Sequence, residues 1–184
     1  MIDPAIETQR LRLRRWRDAD RAPFAAMMAD PEVGYWLGGT MSAAQADAFV
    51  DRAETELGTA GWGFLVIERK SDGVFFGCAG LRPVREPLPP APAVEIGWRM
   101  AREAWGAGYA TEGARALLAD GFLRRGLAEI IAFTAVSNRR SRAVMERLGM
   151  RRAPARDFEH PTLEAGDPLR PHVVYVARRV IPAA

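Results

Sequence analysis

The sequence predicts a mixed α/β fold: a mostly antiparallel sheet of six to seven strands with one central parallel pair and helices on both faces. Short apolar or alternating stretches indicate the strands, and stretches with apolar residues at helical spacing lie between them. The early strands follow one another closely, as in an antiparallel meander. A strand, a helix and a second strand between residues 95 and 135 require a parallel pair.

Length and composition indicate one globular unit. A chain of 184 residues with 48% hydrophobic residues suits a single domain over residues 1–184. No run of about 18 apolar residues is present, so we expect no membrane partner. The start of the chain lacks the pattern of a signal peptide, which favours a cytoplasmic protein. The single cysteine, Cys78, lies in an apolar run and is expected in the core.

The charge is mildly basic, with a net charge of +3 and 26 lysine and arginine residues. Acidic residues are interspersed among the basic ones and no aromatic-basic module is present, so we expect no nucleic-acid partner. The excess of positive charge suits a polyanionic cofactor, and it also suits a solvated arginine-rich surface.

The first half of the chain is expected to begin with one strand and two helices. Leu11 and Leu13 alternate with arginines, as in a half-buried strand. Asp18 is expected to cap the first helix. Ser42, with Gln45 three residues later, forms a capping box that begins the second helix.

Two strands, 62–68 and 74–81, are then expected to form a hairpin through Asp72-Gly73. Residues 83–92 contain five prolines and predict a surface loop. The apolar and aromatic stretch Val94–Met100 reads as the buried central strand.

A glycine turn follows the central strand and leads into a helix over residues 109–125. Gly106 and Gly108 let the backbone turn its N–H groups one way, and a helix N-terminus adds partial positive charge, so a phosphate could bind there without a lysine. The spacing matches neither a P-loop nor a dinucleotide fingerprint. The pattern itself leaves a phosphate cradle and a plain tight turn equally open.

The last third of the chain is expected to contain a strand at 130–136, a helix at 138–148 and two strands at 150–156 and 173–178. The polar loop 157–172 separates the final two strands. Loops of this length are usually either functional or disordered.

Three motifs carry a family resemblance: E-I-G-W-R-M at 95–100, W-G-A-G-Y-A-T-E-G at 105–113 and S-N-R-R-S-R-A-V-M-E-R-L-G-M at 137–150. Together they resemble the GCN5-related N-acetyltransferase (GNAT) superfamily, in particular the branch that acetylates N-terminal amines of ribosomal proteins. The likeness extends from T-Q-R-L-R-L-R-R-W at 8–16 to the final strand, and it implies the GNAT fold.

The resemblance implies acetyl-coenzyme A as the co-substrate. In the family the backbone of the central strand, here Trp98, Arg99 and Met100, pairs with the pantetheine arm and polarises the thioester. The pyrophosphate lies on the glycine loop. In this sequence that loop and the start of the next helix are Trp105, Gly106, Ala107, Gly108, Tyr109, Ala110 and Thr111.

The second motif implies further cofactor contacts. Asn138 would contact the pantetheine arm, and Ser141 would lie near the sulfur. Asn138 is also a natural helix N-cap. Arg142, like its neighbours Arg139 and Arg140, either reaches the nucleotide phosphates or forms a solvated basic face.

One position departs from the family pattern. Glu103 stands where the glycine motif usually begins with glutamine or arginine. A carboxylate near a pyrophosphate is unfavourable, so we expect Glu103 to point away and Arg102 to supply positive charge.

Acetyl transfer to an amine needs a proton acceptor, stabilisation of the oxyanion and a proton for the leaving thiolate, with no covalent enzyme intermediate. Glu95 is the candidate base, because a glutamate in the matching strand of the GCN5 branch acts through water; the alternative is an ordinary solvated or ion-paired carboxylate. Ser141 is the candidate proton donor.

Candidates for the acceptor pocket come from variable segments. Tyr35, Trp36 and Trp62 line such a pocket or pack in the core. His160 and His172 face the substrate or hold their loop by hydrogen bonds. Two histidines without placed carboxylates or thiols do not make a metal site, so no metal is expected.

The sequence thus predicts an acetyl-coenzyme A-dependent N-acetyltransferase that transfers acetyl directly to a primary amine, of a protein N-terminus or a small molecule. The alternatives are a non-catalytic acyl-coenzyme A sensor and, with less support, a nucleic-acid-binding domain. The identity of the amine and the oligomeric state, a homodimer included, stay open.

Overall fold

A computed structural model describes residues 5–179 and contains a mixed sheet of nine strands in that range. One strand pair is parallel and the sheet is mostly antiparallel, which confirms the predicted fold class. The chain divides into two compact units, each made of two stretches: residues up to Leu81 with Gly97–Ala116, and Arg82–Ile96 with the residues from Leu117 onward. The single domain expected from the sequence stays a prediction.

The first unit begins with an antiparallel run of strands. β1 (Ile6–Glu7) pairs with β2 (Leu11–Arg14), β2 with β3 (Phe64–Arg69), and β3 with β4 (Phe75–Pro83), whose last two residues belong to the second unit. The predicted hairpin between β3 and β4 is confirmed, and Gly73 takes a left-handed φ of 74° at its turn. A two-residue strand such as β1 is too short to show an alternating pattern.

Three helices of this unit lie between β2 and β3 in the chain: α1 (Arg21–Ala29), α2 (Pro31–Gly34) and α3 (Ala43–Ala60). The capping box of α3 is confirmed. The Ser42 hydroxyl accepts from the Gln45 N–H at 3.3 Å, and the Gln45 side chain accepts from the Ser42 N–H at 2.8 Å.

The predicted cap at Asp18 is wrong. Asp18 lies inside a 3₁₀ turn, Asp18–Asp20, that precedes α1. The carboxylate of Asp20 accepts two hydrogen bonds from the buried guanidinium of Arg14, at 2.7 and 2.8 Å, and one from the N–H of Arg17. Because this buried ion pair draws Asp20 inward, the chain makes a 3₁₀ turn before the α-helix begins.

The core of the first unit is aromatic. Phe24 lies with its ring centroid 5.1 Å from Trp16 and 5.0 Å from Phe49, and the Trp16 indole donates to the Phe64 carbonyl. Cys78 is fully buried, as expected.

Two strands of this unit approach each other too closely for a side chain. A Cβ atom added to Gly80 of β4 would lie 2.0 Å from the carbonyl oxygen of Gly63. Glycine is therefore required at this position by packing.

The second unit contains the parallel pair. β5 (Val94–Met100) begins in this unit and ends in the first, and its Glu95 pairs with Ile131 of β6 (Glu129–Ala135). β6 then pairs in antiparallel fashion with β9 (Pro171–Arg178) over seven positions. β7 (Arg151–Arg152) and β8 (Phe158–Glu159) also pair with β9.

Two helices complete the architecture. α4 (Tyr109–Leu123) starts in the first unit and ends in the second, and α5 (Arg139–Arg147) follows β6. Within residues 5–179 no helix combines the length and the apolar character that crossing a bilayer requires.

The proline-rich loop packs more closely than a surface loop was expected to. Val84 is buried with Ile131 and Val174 in an apolar cluster of the second unit. Side chains from the same loop pack against this cluster; they are Leu88, Ala91 and Ala93.

Candidate functional site

The predicted glycine loop, here residues 105–108, is a strand-to-helix turn in the first unit. It follows a 3₁₀ turn and ends where α4 begins at Tyr109. Gly106 and Gly108 take left-handed φ values of 77° and 82°, and both are exposed. A Cβ on Gly106 would meet nothing within 4 Å, so the backbone conformation requires the glycine there and packing does not.

Thr8 and Arg10, in the turn between β1 and β2, contact this loop and the start of α4. Nη1 of Arg10 donates to the carbonyl of Ala107 at 3.0 Å, and its guanidinium carbon lies 4.5 Å from the Tyr109 ring centroid. Nε of Arg10 donates to Glu112 at 2.6 Å. Glu112 also accepts from the Thr8 hydroxyl at 2.6 Å and from the Arg10 N–H at 2.8 Å.

These contacts keep Glu112 ionised. Its burial acts to raise its pKa, but the hydrogen bonds from Thr8 and Arg10 outweigh burial and lower the pKa below its usual value. The sequence analysis did not predict these contacts of Arg10 and Glu112. Both residues nevertheless lie in segments that carry the family resemblance, T-Q-R at 8–10 and the glycine motif at 105–113.

The expected pantetheine-facing residues occupy the end of β5. The Arg99 guanidinium lies 4.5 Å from the Phe49 ring centroid, and its Nη1 is 3.9 Å from the sulfur of Met28. Trp98 is half-buried, and the Met100 carbonyl accepts from the indole of Trp105 at 3.0 Å.

The backbone of β4 comes close to the same segment. A Cβ on Gly77, whose φ is 132°, would lie 2.0 Å from the Arg99 carbonyl oxygen. Ala101 donates its N–H to the Phe76 carbonyl at 2.9 Å. The role of this backbone toward a bound arm stays a prediction.

The positive charge of Arg102, expected near the glycine loop, pairs with acidic residues at α2. Nη1 of Arg102 lies 2.9 Å from Glu32 and 3.8 Å from Asp30, both at α2. Glu103 is exposed. Arg102 thus forms ion pairs with α2, and Arg10 contacts the glycine loop.

The predicted acceptor aromatics are only partly brought together. Tyr35 and Trp36 lie in a 3₁₀ turn after α2, with ring centroids 4.8 Å apart in an edge-on arrangement. Tyr35 is 51% exposed, so it is a surface ring and does not fill the core. Trp62 is half-buried just before β3.

In the second unit, Glu95 is an ion-paired buried carboxylate. It is 6% exposed on β5, and Nε of Arg82 donates to it at 2.6 Å. Glu95 is therefore not a solvated carboxylate. The ion pair, which was the other alternative to a catalytic base, is present. The guanidinium fixes the orientation of the carboxylate.

Asn138 is the N-cap of α5, as predicted. Its Oδ1 accepts from the N–H of Ser141 at 3.1 Å, and its Nδ2 donates to the hydroxyl of Thr134 on β6 at 3.0 Å. Ser141 is half-buried in the first turn of α5. The capping bond ties Ser141 to the end of β6.

The three arginines of α5 differ. Nη1 of Arg142 donates to the Val136 carbonyl at 2.9 Å and its Nε lies 3.4 Å from the Tyr175 hydroxyl. Arg139 and Arg140 are exposed. Arg142 is thus engaged by its own unit.

His160 and His172 lie side by side in the second unit, with ring centroids 4.9 Å apart, and Phe158 stacks on His172 at 5.3 Å. Nδ1 of His172 is 3.1 Å from the Arg170 carbonyl. A carbonyl oxygen only accepts, so Nδ1 carries the proton and Nε2 is left as an acceptor.

Burial lowers the pKa of both histidines. For His172 the nearby His160 adds to this effect, and the Arg170 carbonyl and Glu159 oppose it. Both rings are therefore neutral near pH 7.

Glu95 and His172 lie beside different residues of β6. Glu95 is in register with Ile131, and His172 is in register with Ala135. Four residues of strand separate these positions, about 13 Å along β6. The structure brings the two histidines together and does not bring Glu95 level with them.

Within residues 5–179 no group of three or more His, Cys, Asp or Glu side chains is arranged to hold a metal ion.

The Acetyltransferase (GNAT) domain matches residues 10–151. The chain belongs to the GNAT acetyltransferase family. A Bacillus subtilis (strain 168) relative, the uncharacterized protein YkkB, is 35% identical over 149 residues, which are 79% of this chain and 84% of the relative.

Solved structures of GNAT proteins agree with the fold. An acetyltransferase from Agrobacterium tumefaciens has a TM-score of 0.78 and 27% identity, covering 97% of this chain and 96% of its own. RimL, a ribosomal alpha-N-protein acetyltransferase solved in complex with coenzyme A, has a TM-score of 0.76 and 15% identity, covering 95% of this chain and 97% of its own. The latter likeness is one of fold.

Proposed function

We propose that this GNAT protein transfers an acetyl group from acetyl-coenzyme A directly to a primary amine, of a peptide N-terminus or a small molecule. The observation that carries the proposal is the family match over residues 10–151, which spans all the residues assigned to the donor side. RimL, a structural neighbour, was solved with coenzyme A bound.

The donor residues fit a diphosphate ligand. The glycine loop is exposed, its two glycines have left-handed φ, and it leads into the N-terminus of α4, where N–H groups carry partial positive charge. Bound acetyl-coenzyme A would supply the thioester whose carbonyl carbon the amine attacks. We assign the diphosphate to residues 105–111 and the pantetheine arm to the backbone of 98–100 and to Asn138.

The residues of the second unit supply proton transfer. The acceptor ammonium must lose a proton before its nitrogen forms the new C–N bond, and we assign that proton to Glu95, through water. When the C–S bond breaks, its electron pair stays on sulfur, and we assign the proton for that thiolate to the hydroxyl of Ser141, which takes up in turn the second proton that the acylated nitrogen loses. An N–H group of β5 stabilises the oxyanion between the two events.

Burial and orientation support these assignments. Glu95 is held by the 2.6 Å contact with Arg82, and a fixed carboxylate loses little entropy when it accepts a proton from a bound water. Ser141 is fixed through its N–H by the Asn138 cap.

On the acceptor side we assign contacts to Tyr35, Trp36, Trp62, His160 and His172. Aromatic faces attract an ammonium group, and the neutral His172 offers Nε2 as a hydrogen-bond acceptor. These features favour a cationic amine that binds protonated and reacts after deprotonation.

The test is turnover with a broad amine panel. Purified protein is incubated with acetyl-coenzyme A and N-terminal peptides, amino acids, polyamines or aminoglycosides, and free thiol and acetylated product are both measured. Product with one class identifies the acceptor. Coenzyme A binding without product from any amine would favour the sensor, and binding to nucleic acid that weakens steeply with salt would favour the third alternative.

A further inference from the structure

Arg10 contacts the glycine loop from a distant part of the chain. It lies between β1 and β2, 97 residues before Ala107, whose carbonyl oxygen it holds at 3.0 Å. A Cβ added to Gly108 would lie 3.5 Å from Nη2 of the same guanidinium, so the arginine packs along the loop as well as bonding to it.

The loop needs such a residue because its surroundings include two carboxylates. Glu103 precedes the loop, and Glu112 lies in the first turn of α4 as an ionised group. Arg102, the arginine next to Glu103 in sequence, is paired with Glu32 at 2.9 Å. A carboxylate at a helix N-terminus competes with a diphosphate for the same partial positive charge.

The hydrogen bond to Ala107 also sets the direction of the next peptide N–H. In a trans peptide the carbonyl and the following N–H point in opposite directions. The only cis bonds within residues 5–179 precede prolines, at Glu86-Pro87 and Ala91-Pro92. With the Ala107 carbonyl held against Arg10, the N–H of Gly108 points away from Arg10, which is the direction from which an anion would accept it.

We propose that Arg10 is the positioning residue of the diphosphate site. Nη1 holds the Ala107 carbonyl away from the ligand, and Nε neutralises Glu112 at 2.6 Å. The inference rests on the proposed function, since it assumes that the loop binds the diphosphate of coenzyme A. Arg10 acts through the loop, so its removal affects ligands that carry the diphosphate and leaves the chemical step unchanged.

The experiment compares Arg10→Gln with Arg12→Gln. Arg12 is a matched control because it lies close by on β2, its side chain is 40% exposed against 43% for Arg10, and it also pairs with carboxylates, Glu7 at 3.1 Å and Glu68 at 3.3 Å. The measurements are the Kd of coenzyme A, KM and kcat with acetyl-coenzyme A, and KM with acetyl-pantetheine, which lacks the diphosphate.

Arg10→Gln is expected to raise the Kd of coenzyme A and the KM of acetyl-coenzyme A by roughly tenfold, the scale of one charge-assisted hydrogen bond. We expect kcat at saturation and KM for acetyl-pantetheine to stay within about twofold of wild type, and Arg12→Gln to bind like wild type. Equal effects of the two arginine variants, or equal losses for both acyl donors, would overturn the inference.

A double variant separates the two roles of Arg10. Arg10→Gln/Glu112→Gln removes the uncompensated carboxylate but leaves the Ala107 carbonyl unheld, so it is expected to recover only part of the lost affinity. Full recovery would reduce the role to charge neutralisation and overturn positioning. A wild-type chain that binds no coenzyme A contradicts the proposed function itself and this inference with it, whereas loss in no variant contradicts only the inference.

Discussion

Nε of Arg82 lies 2.6 Å from Oε1 of Glu95, so the proposed base is an ion-paired carboxylate on a buried strand. The two residues are neighbours on β4 and β5 within the second unit. Such a pair orients the carboxylate, and a substitution that removes either partner also removes a buried ion-pair contact. Tests of the base should therefore preserve the contact with Arg82.

Glu95→Gln keeps the size of the side chain and an oxygen that can accept from Arg82, but it cannot take a proton. We expect kcat to fall by roughly a hundredfold or more, with KM for acetyl-coenzyme A little changed. Steady-state rates across about pH 6 to 9 measure this. Glu129→Gln on β6, another carboxylate paired with arginine, is the control and should keep its kcat. A Glu95→Gln enzyme with wild-type kcat over that range would falsify the assignment.

Ser141→Ala removes the proposed proton donor and leaves the N–H that bonds to Asn138 in place. We expect kcat to fall by roughly ten- to a hundredfold, because a thiolate leaves more readily than an alkoxide and needs less help. Ser137→Ala, at an exposed position just before the helix, is the matched control. The assignment fails if both variants turn over equally fast.

Asn138→Ala removes two hydrogen bonds, a part-buried one from the Ser141 N–H and a buried one to the Thr134 hydroxyl. We expect the free energy of unfolding to fall by about 1–3 kcal/mol, measured by urea denaturation. Asn138→Asp keeps the capping oxygen, and the Thr134 hydroxyl can donate to it, so most of the stability should remain. Equal losses in the two variants would show that the cap is not the source of the stability.

Two glycine substitutions should have opposite effects. Gly80→Ala places a methyl group 2.0 Å from a backbone oxygen, so we expect a loss of more than about 3 kcal/mol or failure to fold. A Cβ at Gly58, inside α3, meets nothing within 4 Å, and Gly58→Ala should stabilise the protein by about 0.5–1 kcal/mol. Thermal midpoints of both variants test this, and a tolerated Gly80→Ala would contradict the close approach of β3 and β4.

The histidine pair predicts a pH dependence of stability. The pKa of His172 is lowered in the folded state, so between its folded and unfolded values the unfolded chain binds more protons. Stability should therefore fall as the pH drops below about 6.5. The groups around His172 are the Arg170 carbonyl, His160, Glu159 and two aromatic rings, Phe133 and Phe158.

The measurement is the urea midpoint of wild type and His172→Asn at about pH 7.5 and pH 5.5. Wild type should lose more stability than the variant over that interval. Parallel pH profiles would show that the imidazole of His172 does not titrate with folding.

Features set by local sequence could be predicted. The Ser42–Gln45 capping box, the Asp72-Gly73 hairpin and the Asn138 cap each depend on residues within a few positions of one another. The early antiparallel meander and the parallel pair followed from the succession of elements, because one intervening helix forces a parallel pair. The position of β9 between β6 and β7 was not predicted. The family motifs indicated the donor residues, and their role stays a prediction.

Contacts between distant residues could not be predicted. Arg10 and Glu112 are 102 residues apart, and no periodicity links them. The Asp18 prediction failed at short range, because the guanidinium of Arg14, six residues before Asp20, binds the Asp20 carboxylate, and no capping pattern in the sequence reveals that contact. Likewise, Glu95 could be assigned to a buried strand, but no pattern in the sequence links it to Arg82, 13 residues earlier.

The alternation of the two compact units along the chain has a consequence for biosynthesis. The first unit is complete only once Ala116 has been made, and by then residues 82–96 of the other unit have already been synthesised, before β6 of their own unit exists. Glu95 therefore waits for Ile131 before its strand can form the parallel pair. Because each unit consists of two separated stretches, no single cut releases either one whole, so the nascent chain cannot finish one unit before it begins the other.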